Sequence, residues 1–136
     1  MKAKTENDVL RKLSAIIGID MTRVTTMQVD TAVLLLAKDV CEALGIRDKN
    51  QRKKLLKNYV PDEHRTRMEY GSGEKKSVAW LTLAGVYDLV LYAPIENAQI
   101  KRFRSRQSEE LVQINHRDLG KAVAARFTKP IINRFL

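Results

Sequence analysis

The stretch Trp80–Pro94, WLTLAGVYDLVLYAP, decides how the fold of this chain is predicted. It begins like the end of a strand, passes into a turn of helix at Leu-Ala-Gly-Val-Tyr, and stays apolar until the proline. Immediately before it, His64–Tyr70 and Lys75–Thr82 flank the glycines of Gly71-Ser72-Gly73, which can supply the positive φ of a hairpin turn. The stretch therefore predicts a strand that leaves a β-hairpin and runs into a buried helix.

The rest of the chain alternates helices and short strands. Apolar residues at helical spacing predict a first helix that ends near Gly18, and β-branched residues around Asp30-Thr31 predict two strands joined by a tight turn. The second of these strands, AVLLLA, is apolar enough to lie inside a sheet or under helices. Further helices are predicted at Lys38–Leu44 before Gly45, from the Asp48 cap to Pro61, from about Leu83 to Tyr92, and from Pro94 to about Asn115. These elements predict an α+β fold in which a small mixed sheet with β-hairpins packs against several helices.

Length and composition fit one domain of a cytoplasmic protein. The chain has 136 residues, of which 44% are hydrophobic, so it can bury a core without disulfides or metal. Its single cysteine, Cys41, excludes a disulfide within the chain and fits a reducing compartment. No apolar run reaches the roughly 18 residues of a membrane-spanning helix, so we expect no membrane partner.

Basic charge is the strongest compositional feature. The chain has 25 Lys and Arg against 16 Asp and Glu, for a net charge of +9. A small domain this basic attracts polyanions, because each neutralised phosphate releases condensed counterions. The composition therefore favours nucleic acid as a partner. The alternative is that the charge serves only to keep the protein soluble.

Two motifs in order resemble the BRO family N-terminal domain, which occurs in phage antirepressor-like and baculovirus proteins. The first is LLLAKDVCEALGI at Leu34–Ile46, and the second is LTLAGVYDLVLYA at Leu81–Ala93, with a basic segment and a hairpin between them. The resemblance covers roughly residues 23–114. It implies an α+β DNA-binding domain, here residues 21–116, between an N-terminal amphipathic helix extension (1–20) and a partly helical C-terminal tail (117–136).

The chain departs from the family pattern in its last predicted helix. The family commonly has Ala-x-x-Phe-x-x-Trp and a Leu-Pro ending there. This chain has Ala98 and Phe103 at a wider spacing, no tryptophan, and Leu111-Val112 in place of Leu-Pro. We expect the last helix to pack or pair differently from that of its relatives.

A DNA-binding surface is predicted from cations on the helix that begins at the Asp48 cap and on the hairpin. The predicted contacts are Lys49, Lys53, Lys54, Lys57, Arg65, Arg67, Lys75 and Lys76. A two-stranded ribbon and a helix can each enter the major groove. The same segment also fits a helix-turn-helix with Asp48–Asn58 as the recognition helix, so which element enters the groove stays open. A secondary group on the last helix, Lys101, Arg102, Arg104 and Arg106, could contact DNA or simply face solvent.

Catalysis and metal binding find little support in the sequence. Cys41 lies among apolar helix neighbours, where thiols are usually structural and unreactive. His64 and His116 are far apart, and no Cys/His spacing suits zinc. The segment PDEH at Pro61–His64 fits a polar turn after a helix better than a metal site. We predict no catalytic residues, no metal and no cofactor.

The sequence thus predicts a non-enzymatic protein of phage or prophage type that binds double-stranded DNA in the host cytoplasm. Its role would be transcriptional regulation or antirepression. The alternative is a protein-binding inhibitor, either an antirepressor that titrates a repressor or an inhibitor of a host nuclease or defence complex. A homodimer is a further hypothesis, because the first helix and the tail carry apolar stripes with no assigned partner.

Overall fold

The computed structural model of the chain describes residues 4–70 and 76–111, with side chains as far as residue 106. The elements, in chain order, are α1 (Lys4–Ile17), β1 (Thr26–Val29), β2 (Ala32–Leu36), α2 (Ala37–Ala43), α3 (Lys49–Tyr59), a 3-10 turn (Asp62–His64), β3 (Arg65–Tyr70), β4 (Lys76–Leu81), α4 (Leu83–Tyr92) and α5 (Ala98–Leu111). The α+β prediction is confirmed. The predicted turn at Gly71-Ser72-Gly73 and the predicted tail fall outside the described residues.

Four antiparallel strands form one sheet, in the order β1-β2-β4-β3. β1 and β2 are joined by the predicted tight turn, in which Asp30 takes a positive φ of 55°. β2 pairs with β1 on one side and with β4 on the other, so it lies inside the sheet. Its apolar sequence is explained by burial on both faces, because Leu35 belongs to the main core and Leu34 and Leu36 belong to a smaller cluster on the opposite face.

The helices pack on one face of the sheet and form the main hydrophobic core. Leu35 and Leu81, opposite each other in the β2–β4 register, belong to this core. α1 contributes its apolar stripe to the same core, through Val9, Leu10, Leu13 and Ile17. The stripe of α1 is therefore covered within the chain except at Ile16, which is half-buried.

The other face of the sheet carries a second, smaller cluster. Leu36 and Trp80 pair across β2 and β4 and lie on this face with Leu34. Trp80 is fully buried, and the ring of Tyr70 meets it edge-on at 5.5 Å between centroids. Trp80 is thus a core residue. No helix in the described parts of the chain is long and apolar enough to cross a membrane.

The loop between α2 and α3 is set by two local signals. Gly45 has a φ of 91°, and the amide of Ile46 donates to the carbonyl of Cys41 at 2.8 Å, which closes α2. Asp48 then caps α3, because its carboxylate accepts a hydrogen bond from the amide of Gln51 at 2.8 Å. Both predictions are confirmed.

The start of the last helix was predicted wrongly. α5 begins at Ala98 and not at Pro94, because the side chain of Asn97 caps it by accepting from the amides of Gln99 (2.8 Å) and Ile100 (3.2 Å). Proline and asparagine are both favourable near a helix start, and the cap with hydrogen bonds prevails. Phe103, like Ile100, is buried. The predicted end at Asn115 and the apolar side chains at Leu111 and Ile114 lie outside what the structure describes.

Candidate nucleic-acid interface

The lysines of α3 form an unpaired cationic surface. Leu55 and Leu56 anchor the helix in the protein, and the predicted contacts on α3 are all exposed: Lys49, Lys53, Lys54 and Lys57. α3 itself contains no acidic residue. Across residues 4–70 and 76–106, none of the four lysines takes part in a salt bridge or a side-chain hydrogen bond. Three of them are four residues apart, so they follow one side of the helix. Their charge is available to a polyanion.

Arg47 extends this surface and was missed in the sequence. It is exposed in the turn between α2 and α3, beside the Asp48 cap. It makes no ion pair with any described residue. Its signal was only its position next to a helix start, which is too common to single out a residue.

The two arginines of β3 lie on one face of the ribbon but differ in their contacts. Arg65 is opposite Leu81 and Arg67 is opposite Ala79, so both are on the helix side of the sheet. Arg65 is half-buried, with Nε donating to the carbonyl of Val60 at 3.1 Å and Nη2 donating to Asp62 at 2.6 Å. Its charge is largely used within the protein.

Arg67 is exposed and is held by the neighbouring strand. Its Nη2 donates to the carbonyl of Ser77 at 3.0 Å, and its Nε lies 3.4 Å from the Ser77 hydroxyl oxygen. No carboxylate pairs with it among the described residues. The guanidinium is therefore partly ordered along the ribbon, while its remaining N–H groups can donate to a ligand.

Lys76 lies on the opposite face of the ribbon from Arg65 and Arg67. It pairs with Tyr70 in the β3–β4 register, and successive residues of a strand point to opposite faces. Lys76 is exposed, as is Tyr70. Lys75 lies outside the described residues. Of the three hairpin cations that the structure describes, Arg67 alone combines a place on the helix side with a charge that no carboxylate neutralises.

The connection between α3 and β3 is locked to the start of α4. The carbonyl of His64 accepts from the backbone amide of Thr82 at 3.1 Å and from its hydroxyl at 3.3 Å. The same hydroxyl caps α4 by accepting from the amide of Gly85. A Cβ on Gly85 would lie 2.5 Å from the His64 carbonyl oxygen, so only glycine fits this contact.

His64 and Asp88 form a buried pair that complements this backbone contact. Their side chains are the buried polar or charged ones in the described part of the chain, with residue exposures of 4% and 2%. His64 Nδ1 lies 2.5 Å from Asp88 Oδ2, and Nε2 lies 3.8 Å from the carboxylate of Glu63. The sequence predicts His64 in a polar turn and indicates no role for Asp88. An acidic residue inside the apolar run of α4 was the available signal.

Two of the α5 cations donate hydrogen bonds to carbonyls at the C-terminal ends of other helices. Arg104 is half-buried, and its guanidinium donates to the carbonyls of Val90, at 2.7 Å, and of Ala93 at the end of α4. Burial lowers the pKa of Arg104. Arg106 reaches the carbonyl of Ile16 in the last turn of α1 at 3.4 Å. Cations at helix C-termini satisfy carbonyls that have no partner inside the helix.

The remaining two α5 cations face solvent. Lys101 lies 3.5 Å from Glu96, and both side chains are well exposed. Arg102 is exposed and makes no described hydrogen bond or ion pair. Of the four predicted secondary contacts, Arg102 is thus the one whose charge is unengaged in the described structure.

The thiol of Cys41 and the hydroxyl of Tyr87 are held in their neutral forms. Burial raises the pKa of Cys41 to about 11, against a smaller opposing effect of Arg52. Tyr87 is fully buried beside Phe103, with 6.1 Å between ring centroids, and burial raises its pKa as well. Both residues belong to the core.

Comparison with known proteins identifies the family of this chain. The sequence model of the BRO family N-terminal domain matches residues 22–110, which run from the loop before β1 almost to the end of α5. No curated protein and no solved structure was found to match the chain. Domains of this family are generally DNA-binding. Since the match covers well over half of the sequence, the chain belongs to the BRO family, and residues 22–110 are its N-terminal domain.

Proposed function

We propose that this chain is a non-enzymatic, phage-type protein that binds double-stranded DNA in a bacterial cytoplasm and acts in transcriptional regulation or antirepression. The observation that carries the proposal is the row of unpaired lysines on α3. Family membership supports it independently, since BRO N-terminal domains are generally DNA-binding.

The α3 lysines grip the phosphate backbone. A lysine is a point charge on a flexible stem, so it neutralises phosphate without demanding one geometry. Lys49, Lys53 and Lys57 follow one side of the helix over two turns, which suits contact with successive phosphates. Such contacts give affinity and register but carry no sequence information.

Arg67 supplies the directional contact from the ribbon. Its guanidinium is already held against Ser77, so less side-chain entropy is lost when its other N–H groups bind. A fork of this kind suits either a phosphate or the O6 and N7 atoms of a guanine. Arg65 acts differently: its guanidinium binds Val60 and Asp62 within the protein.

The experiment compares the salt dependence of duplex binding for two charge-matched variants. Lys53→Ala with Lys57→Ala removes two proposed phosphate contacts. Lys12→Ala with Arg23→Ala removes two exposed cations on other elements and serves as the control. Each lost contact lowers the slope of log K against log salt by about 0.9, so the α3 variant should lose about 1.8. Equal slopes for both variants would remove α3 from the interface.

The same assay tests which element enters the groove. Arg67→Ala is compared with the α3 variant on random and on phage-genome DNA. If the ribbon reads bases, Arg67→Ala loses the preference for particular fragments while most of the salt slope remains. If α3 is the recognition helix, the preference survives in Arg67→Ala and is lost with the lysines.

The rival function gives a different result in the same assays. A protein-binding inhibitor, directed at a repressor or at a host nuclease or defence complex, would not be retained on random duplex at low salt. It would instead bind a purified partner, and neither pair of substitutions would change its behaviour on duplex DNA. Retention on duplex that falls steeply with salt supports the proposal.

Homodimerisation stays a prediction. One of its two supports was the apolar stripe of α1, which is buried in the core. The other is the apolar pattern of residues 117–136, outside the described residues. Light scattering at micromolar concentration measures the mass directly, and a monomer mass would dispose of the hypothesis.

A further inference from the structure

We propose that the buried hydrogen bond between His64 and Asp88 is the positioning contact that sets the β3–β4 ribbon in orientation relative to α3. The inference rests on the proposed DNA-binding function. Its consequence is that Arg67 and the α3 lysines are presented together to one DNA backbone.

The location of His64 supports the proposal. Five residues separate the end of α3 at Tyr59 from the start of β3 at Arg65, and His64 is the last of them. The exposed cations of the interface lie on both sides of this connector. The ribbon is joined to the rest of the sheet through only two residue pairs of β2 with β4, so the connector, which runs directly into β3, is a second constraint on how the ribbon sits relative to α3.

α4 is the fixed reference to which the connector is attached. α3 and α4 pack against each other, and α4 is buried along most of its length. His64 meets α4 at two points. Its carbonyl rests on Gly85 and Thr82, and its imidazole reaches Asp88, about one turn further along the helix. Two attachments one turn apart define an orientation, whereas a single attachment would leave a pivot.

The chemistry of the pair suits positioning better than stability. A buried polar pair must recover the cost of leaving water, and apolar residues of similar volume often stabilise a fold as well or better. A hydrogen bond differs from an apolar contact in being directional. A 2.5 Å contact from Nδ1 to Oδ2 thus fixes the ring of His64 in a way that leucine packing would not.

The experiment measures orientation and DNA binding separately, on the full chain. Spin labels are attached at Asn50→Cys on α3 and Glu69→Cys on β3, both exposed positions. Cys41 is buried and stays unlabelled. The distance distribution between the labels reports the ribbon orientation, and anisotropy with a random-sequence duplex over a salt series reports the number of phosphate contacts.

Three variants give the comparison. His64→Leu with Asp88→Leu replaces the pair by apolar side chains. Asp88→Asn keeps an acceptor oxygen for the imidazole and removes the charge, so it is the conservative rescue. Leu89→Ala opens a cavity at a fully buried residue next to Asp88 and is the stability control.

We expect the double leucine variant to fold, to broaden the distance distribution and to lose at least about 0.9 from the salt slope. Asp88→Asn should match the wild type in both readouts. Leu89→Ala should melt at a lower temperature with the distribution unchanged. A wild-type distribution in the double leucine variant, or equal broadening in Leu89→Ala, would overturn the proposal.

Two further outcomes, a wild type that does not bind duplex DNA and a double leucine variant that does not fold, can be distinguished from failure of this proposal. If the wild type does not bind duplex DNA, the proposed function fails, while the label distances still decide whether the pair sets the orientation. If the double leucine variant does not fold, Asp88→Glu takes its place. It keeps the carboxylate but moves it by one methylene, and a wild-type distance distribution in that variant would equally refute positioning by this contact.

Discussion

Replacing Gly85 by alanine separates helix propensity from tertiary contact, because the two predict opposite signs. In a helix, alanine is more favourable than glycine by up to about 1 kcal/mol. At this position, however, the new Cβ would lie 2.5 Å from the His64 carbonyl oxygen and 3.4 Å from two carbon atoms of Leu81. The contact to the oxygen is about 0.9 Å shorter than ordinary van der Waals contact. A backbone carbonyl must therefore move.

The cost follows from what holds that carbonyl. It accepts from the amide and the hydroxyl of Thr82, so retreat weakens two hydrogen bonds, each worth about 1 kcal/mol. Overpacking of a well-packed site adds about 1–3 kcal/mol. After subtraction of the gain in propensity, Gly85→Ala should destabilise the protein by about 2–4 kcal/mol, which corresponds to a fall in Tm of roughly 8–16 °C for a chain of this size.

Thermal unfolding followed by circular dichroism checks this prediction. Ala84→Gly, at the preceding half-buried position of α4, is the matched control. It should cost no more than about 1 kcal/mol, since only helix propensity changes. If Gly85→Ala melted at or above the wild-type temperature, the close approach of His64 to α4 would be refuted, and with it the physical reason for glycine in the family motif.

Three other predictions concern single side chains. Asp48→Ala removes the cap of α3 and should cost about 1 kcal/mol in urea unfolding, whereas Asn50→Ala, at an exposed position of the same turn, should cost much less. Arg104→Ala leaves the carbonyls at the end of α4 without their donor, so it should lower the free energy of unfolding by about 1.5–3 kcal/mol. The salt slope of DNA binding should stay unchanged. A flatter slope with normal stability would assign Arg104 to the interface instead. Because burial raises the pKa of Cys41 to about 11, its thiol is protonated at pH 8. It should react with a disulfide reagent only after the protein unfolds. Rapid labelling of the native protein would contradict this prediction.

Much of the local structure could be predicted from short sequence signals. The bounds of α4, the Gly45 closure of α2 and the Asp48 cap of α3 each depend on residues within one turn of the boundary. The interior position of β2 followed from its unbroken apolar run. The start of α5 was missed because Pro94 and Asn97 are both acceptable starts, and hydrogen bonds at Asn97 decide between them.

The candidate interface has features that short sequence signals could not predict. Composition and the order of the residues determined that this is a basic α+β chain of the BRO family with cations on a helix and on the hairpin that follows it. These features could be predicted because helical periodicity, helix caps and charge each depend on residues that are close together in the sequence. Only the tertiary structure decided that Arg65 is engaged while Arg67 is unpaired by any carboxylate, and that Arg104 caps α4. It alone joined His64 to Asp88, since residues 24 positions apart meet only when α4 packs beside the connector. Charge is a property of each side chain, but its availability depends on which acceptors folding places beside it.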